Sequence, residues 1–80
     1  MTSKRLHLTF PEQLVQQPII SHMVKTHGVD VNIRRADVDE HVGWMVLELT
    51  GDEAAVNDAQ DWLRSQGIEV NDPGGDIVAG

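Results

Sequence analysis

The chain contains no cysteine. That absence excludes disulfides, zinc–thiolate sites, iron–sulfur ligation and thiol nucleophiles together, and it fits a reducing compartment. Basic residues are scarce: six Lys and Arg stand against thirteen Asp and Glu, for a formal net charge of −7. Such a surface repels phosphates, so nucleic acid and anionic membranes are poor partners. Aromatics are few, with two Trp, one Phe and no Tyr. An RNA-recognition sheet needs aromatics on its middle strands and a basic face, and one open-face Trp with a net charge of −7 argues against it. No apolar run reaches the roughly 18 residues of a membrane span, and no charged, apolar leader opens the sequence. The expectation is a cytoplasmic protein without membrane insertion. Its 80 residues suffice for one domain. A domain of this size buries only about 60–65% of its unfolded surface, so its margin of stability is thin.

What is present is organised around Val29 to Asp52. Val29, Val31 and Ile33 alternate with Asp30, Asn32 and Arg34. Met45, Leu47 and Leu49 alternate with Trp44, Val46, Glu48 and Thr50. A period of two marks strands with one buried and one open face. Asp37 to Gly43 between them is acidic and ends in Gly, as suits a hairpin connection. Upstream, Lys4 to Phe10 reads as a first strand, with Leu6, Leu8 and Phe10 on one side. Pro11 ends it, and a loop runs to Gln17. Pro18 opens a first helix at a position where its missing N–H costs nothing. Ile19, Ile20, Met23, Val24 and His27 form the buried stripe of that helix, and Gly28 stops it. Asp52 is the N-cap of a second helix with the stripe Ala55, Val56, Ala59, Trp62 and Leu63, ended by Gly67. Ile68 to Val70 is a short last strand. The domain spans residues 1–71, and the Gly- and Pro-containing stretch of residues 72–80 is expected to be a disordered tail.

The order β-α-β-β-α-β predicts the α+β, ferredoxin-like plan. Right-handed crossovers put both helices on one face of a four-stranded antiparallel sheet, in the order 4-1-3-2. The second strand is then an edge, and one sheet face is left open. Arg5, His7, Thr9, Asn32, Arg34, Trp44, Val46 and Glu48 fall on that face by parity. Trp44 and Val46 form an apolar patch there, flanked by Arg34, and read as an interface. The plainer alternative is that the stems of Arg5 and Arg34 cover the indole. Asn32 is unusual for a strand, and its amide offers two donors and an acceptor to a zwitterionic ligand; otherwise it marks a bulge or a strand end.

Familiar sites of this fold fail. Metal carriage needs a cysteine pair. Phosphate hydrolysis needs a Gly- and Arg-containing cradle where the chain has PEQLVQQ. His22 and His27 lie on different helix faces and make no ligand pair. No Ser–His–Asp set or paired carboxylates can be assembled, so neither a metal, a cofactor nor an enzymatic activity is expected.

The stretches FPEQLVQQPIISHMVKTHGVDVNIRRADV and GWMVLELTGDEAAVNDAQDWLRSQGIEV resemble the NIL domain family, an ACT-like variant of the ferredoxin-like fold. The Pro-Ile-Ile helix entry, the Val-Asn-Ile strand and the Leu-Glu-Leu-x-Gly-Asp strand end carry the likeness. The family's Asn-Ile-Leu triplet is here Asn32-Ile33-Arg34. The resemblance implies a regulatory or small-ligand-binding domain of sulfur-amino-acid metabolism or transport, as at the C-terminus of methionine ABC-transporter ATPases. It further implies a free-standing version that acts on a protein partner in trans and binds an amino acid such as methionine, and Trp44 and Val46 on the uncovered face, beside the unpaired second-strand edge, predict a homodimer. Asn32 and Ile33 on the edge strand, with Pro18, Ile19 and Met23 of the first helix, are the expected ligand contacts. The alternative is a ligand-free protein-interaction or dimerisation module.

Overall fold

The structure, a computed structural model, describes residues 1–71. The expected tail of residues 72–80 lies outside the described residues. Four strands and two helices follow in the order expected: β1 (Thr2–Phe10), α1 (Ile19–His27), β2 (Asp30–Val38), β3 (Gly43–Gly51), α2 (Glu53–Ser65) and β4 (Glu69–Asn71). The sheet order is β2-β3-β1-β4 and all three pairings are antiparallel. This is the ferredoxin-like α+β fold.

Boundaries moved in instructive places. β1 begins at Thr2 rather than Lys4, because its ladder with β3 runs on to Gly51. The connection after Pro11 is not all loop: Glu12–Leu14 forms one 3-10 turn. Pro18 sits just before α1 rather than inside it, at φ −79°, ψ 59°. The Ile19 N–H closes on the Gln17 carbonyl at 2.8 Å. That is an inverse γ-turn about Pro18, which turns the chain sharply into the helix. Gly28, at φ 67°, is the left-handed stop of α1. Asp52 precedes α2 in extended conformation, but its side chain caps no N–H. The hairpin strands reach further than expected, leaving only Asp39 to Val42 as the turn.

The core holds Leu6, Leu8, Met23, Leu47, Leu49, Val56 and Leu63, all fully buried. Ile20, Val31 and Met45, expected in this core, only pack against its border. Two departures concern β2. Ile33 shares the core face with Leu47 yet is 51% exposed. A bulge follows it: Ile33 pairs with Leu47 but Arg35 pairs with Val46, so Arg34 is the extra residue. Arg34 therefore does not hold the open-face place assigned to it by parity; Arg35 does. Counting by two fails at that step because one inserted residue resets the alternation.

Candidate ligand pocket and open sheet face

The first candidate is a pocket of about 160 Å³ where the start of α1 meets the end of the β2–β3 hairpin. Phe10 and Met45 of β1 and β3, Val38 of β2, and Val15, Ile19 and Ile20 wall it with apolar groups. Gln17 and Ser21 supply its polar side chains. The His22 N–H makes the first bond of α1, to the Pro18 carbonyl at 3.0 Å. The N–H groups of Ile20 and Ser21 precede that bond and belong to the orphan donors of a helix start. They favour an anionic group at this end.

The pocket is flanked by a clasp. The Asp39 carboxylate accepts the backbone N–H groups of His41 and Val42, each at 2.8 Å. Those two bonds hold its carboxyl below the usual carboxylate range. The turn so fixed presents His41 Nδ1 to Glu12 Oε2 at 2.9 Å, tying the hairpin tip to the β1–α1 connection.

The second candidate is the open face. The His7 ring stacks on Trp44 with centroids 5.5 Å apart and planes at 11°. The Arg35 guanidinium lies 5.9 Å from the Trp44 ring centroid, within reach of a cation–π contact. The indole is thus covered by His7 and Arg35, not by Arg5 and Arg34. Val46 beside it is half-buried, and Val42 at the turn is half-exposed.

Of the expected ligand residues, Pro18 and Ile19 line the pocket. Met23 is fully buried in the core and lines nothing. Asn32 pairs with Glu48 on the open face, whereas the pocket lies on the helix side. Within one copy the sheet separates Asn32 from the pocket. Val15 and Val38 were missed as pocket residues, because one read as loop and the other as turn.

With this geometry in place, comparison with known proteins decides the family. The NIL domain family matches residues 4–72. The chain belongs to the NIL domain family. Two curated relatives that match this NIL domain carry methionine import in their names. The methionine import ATP-binding protein MetN of Cupriavidus metallidurans is 35% identical over 69 residues, covering 81% of this chain and 20% of that protein. MetN 1 of Lactiplantibacillus plantarum is 36% identical over 75 residues, covering 89% and 21%. The chain thus spans about one-fifth of the length of these relatives. A solved structure, the C-terminal domain of an ABC transporter ATP-binding protein from Enterococcus faecalis, superposes with a TM-score of 0.78 at 27% identity. The superposition covers 91% of this chain and 86% of that chain. Among the described residues no helix is long and apolar enough to cross a membrane, and no three His, Asp or Glu gather as metal donors.

Proposed function

We propose that this NIL domain is a non-catalytic regulatory unit of methionine import or sulfur-amino-acid metabolism that binds an amino acid with an apolar side chain. The observation that carries this reading is the pocket at the start of α1. Its size is close to that of an apolar protein cavity of about 150 Å³ able to hold benzene. A thioether chain fits such a volume, and Met45 and Phe10 are apt neighbours for its sulfur. The ligand carboxylate meets the Ile20 and Ser21 N–H groups, where helix geometry leaves donors free. Gln17 and Ser21 add polar contacts at the mouth. Pro18 and Ile19 keep their expected role as lining; Met23 supports Ile19 from the core. Asn32, with Ile33 beside it, reaches such a ligand only from a second copy, so the reading includes a homodimer. The names of the relatives favour methionine, and their being ATP-binding proteins of import supports a site of action on transport machinery at the cytoplasmic side.

A second reading is a ligand-free interaction module. The half-buried Trp44 and Val46 on a sheet face that no helix covers favour it.

Calorimetry with L-methionine, homocysteine and cysteine separates the two. The ligand reading expects binding tighter than about 1 mM, near −4 kcal/mol. Val38→Trp fills the pocket from a position already half-exposed and abolishes that binding without unfolding the domain. Asn32→Ala weakens it by about 1–3 kcal/mol. If no amino acid binds, the interaction module is the better reading.

A further inference from the structure

The pocket lies between two segments from different parts of the chain. Val15, Gln17 and Pro18 come from the β1–α1 connection, and Val38 stands at the end of β2, where the hairpin turn begins. The β1–β3 ladder joins the bases of these segments and ends at the Phe10–Gly43 pair. Beyond it, among the described residues, one polar contact bridges residues 11–18 and 39–42: His41 Nδ1 to Glu12 Oε2, at 2.9 Å.

Each end of that contact is coupled to the pocket wall through backbone bonds. On the hairpin side the Asp39 carboxylate accepts the His41 and Val42 N–H groups, and the Asp39 N–H donates to the Val42 carbonyl at 2.9 Å. His41 is therefore presented from a fixed turn that continues directly from Val38. On the other side the Glu12 carbonyl accepts the Val15 N–H at 3.3 Å, and the Leu14 carbonyl accepts the Gln17 N–H at 3.1 Å. The residue that carries the carboxylate thus also holds the wall residue Val15. Neither residues 11–18 nor residues 37–43 include a Lys or Arg. Their charged groups are Glu12 on the connection and Asp37, Asp39 and Glu40 on the hairpin. The one cation these segments can supply is a protonated His41 ring.

We propose that the His41–Glu12 pair is a pH-sensitive latch that holds the pocket wall in its ligand-accepting shape and is tightest when His41 is protonated. Its effect on a ligand rests on the reading of this pocket as an amino-acid site. An imidazolium donates from Nδ1 and adds its charge to the attraction for the carboxylate. A neutral ring donates only in the tautomer that keeps its proton on Nδ1. Histidine is the side-chain type whose charge ordinarily changes between pH 5 and 8, a range in which carboxylates are ordinarily ionised throughout. Raising the pH across that range loosens the latch. The fraction of molecules with a shaped pocket falls, and apparent affinity falls with it. Both side chains are exposed, so the tie is a weak one, and its complete loss is worth up to about fivefold.

The test is calorimetry with L-methionine at pH 5.5 and pH 8.0, with hydrogen exchange of the unliganded protein beside it. The unmutated protein should bind more tightly at pH 5.5, by up to about fivefold. His41→Lys keeps a cation at both pH values and should hold the tighter affinity at both. Glu12→Gln and His41→Gln should show the weaker affinity at both. His22, next to the lining residue Ser21, is a second histidine near the pocket. A pH dependence that survives in His41→Lys and Glu12→Gln belongs to His22 and overturns the latch, as does equal affinity of the unmutated protein at the two pH values. Exchange reads the wall without any ligand. At pH 5.5 Glu12→Gln should lower protection of the Val15 and Gln17 amides by up to about fivefold and leave the Leu47 amide of β3 unchanged. If methionine does not bind but that protection falls, the amino-acid reading fails and the latch stands. If methionine binds and the protection is unchanged, the latch fails and the amino-acid reading stands.

Discussion

Leu47 and Ile33 face each other across β3 and β2 on the same side of the sheet, and their environments are opposite. Leu47 is fully buried, with Leu6 of β1 on its other side. Ile33 is half-exposed. α2 packs over β1, β3 and β4, and α1 packs against α2; at Ile33 of β2 that cover is incomplete. Alternation in a sequence reports which face a side chain takes. It does not report whether anything sits above that face, since cover depends on where the helices come to rest.

The largest expected effect breaks the covered side. Leu47→Ala removes a fully enclosed side chain flanked by buried neighbours, and should cost about 2–5 kcal/mol in urea melts. In a domain of marginal stability that is enough to unfold much of the population. A loss under about 1 kcal/mol would mean that the sheet faces are reversed.

The covered side also has a flaw, and removing it sharpens the contrast. His27 Nε2 is buried without a hydrogen-bond partner, beside the Trp62 ring at 5.9 Å. An unpaired buried polar atom carries a desolvation cost of about 1–3 kcal/mol. His27→Phe keeps the ring contact and drops the nitrogen. It should raise stability by about 1 kcal/mol, read as a higher urea midpoint with unchanged slope. A lower midpoint would mean that the nitrogen finds water.

On the uncovered side the same kind of truncation should do little. Ile33→Ala removes a side chain that is already half in solvent, so its folding cost should stay within about 0.5–1 kcal/mol. Measured beside Leu47→Ala, it tests directly whether cover, not parity, sets the energetic weight of a strand residue. Equal losses would end the comparison.

These contrasts also show what was legible before the structure. The element order and sheet order were, because alternation and helix stripes are strong in Leu6–Phe10, Val29–Ile33 and Met45–Leu49. The bulge was not: Arg34-Arg35-Ala36 carries no glycine or other mark of an inserted residue, so parity put Arg34 where Arg35 stands. That shift also misassigned the cover of Trp44. The pocket was half legible. Pro18 and Ile19 were read from the helix entry, but Val15 and Val38 enter it from segments that read as loop and turn. Asn32 was placed on the edge strand correctly, yet no local pattern relates the two faces of a sheet to a pocket formed by distant segments.

The smallest expected effect lies at the hairpin tip, where β2 and β3 meet beyond the helices. Asp39 accepts two backbone N–H groups at 2.8 Å, and these lower its carboxyl from the ordinary value of 3.8. A carboxyl whose folded value is lowered stabilises the fold at every pH above the unfolded value. That contribution fades as the pH falls through the unfolded value and on through the folded one. The unmutated protein should therefore lose a small increment of stability between about pH 5 and the acid limit that Asp39→Asn does not lose. The side chain is fully exposed, so the increment is modest. Urea midpoints of the two proteins, followed from pH 7 to pH 3, should differ most at pH 7 and converge in acid. Hydrogen exchange at the Val42 amide, which donates to Asp39, should quicken in the variant. Parallel midpoint curves would show that the turn is held by its backbone bond from Asp39 N–H to the Val42 carbonyl, 2.9 Å, rather than by the carboxylate.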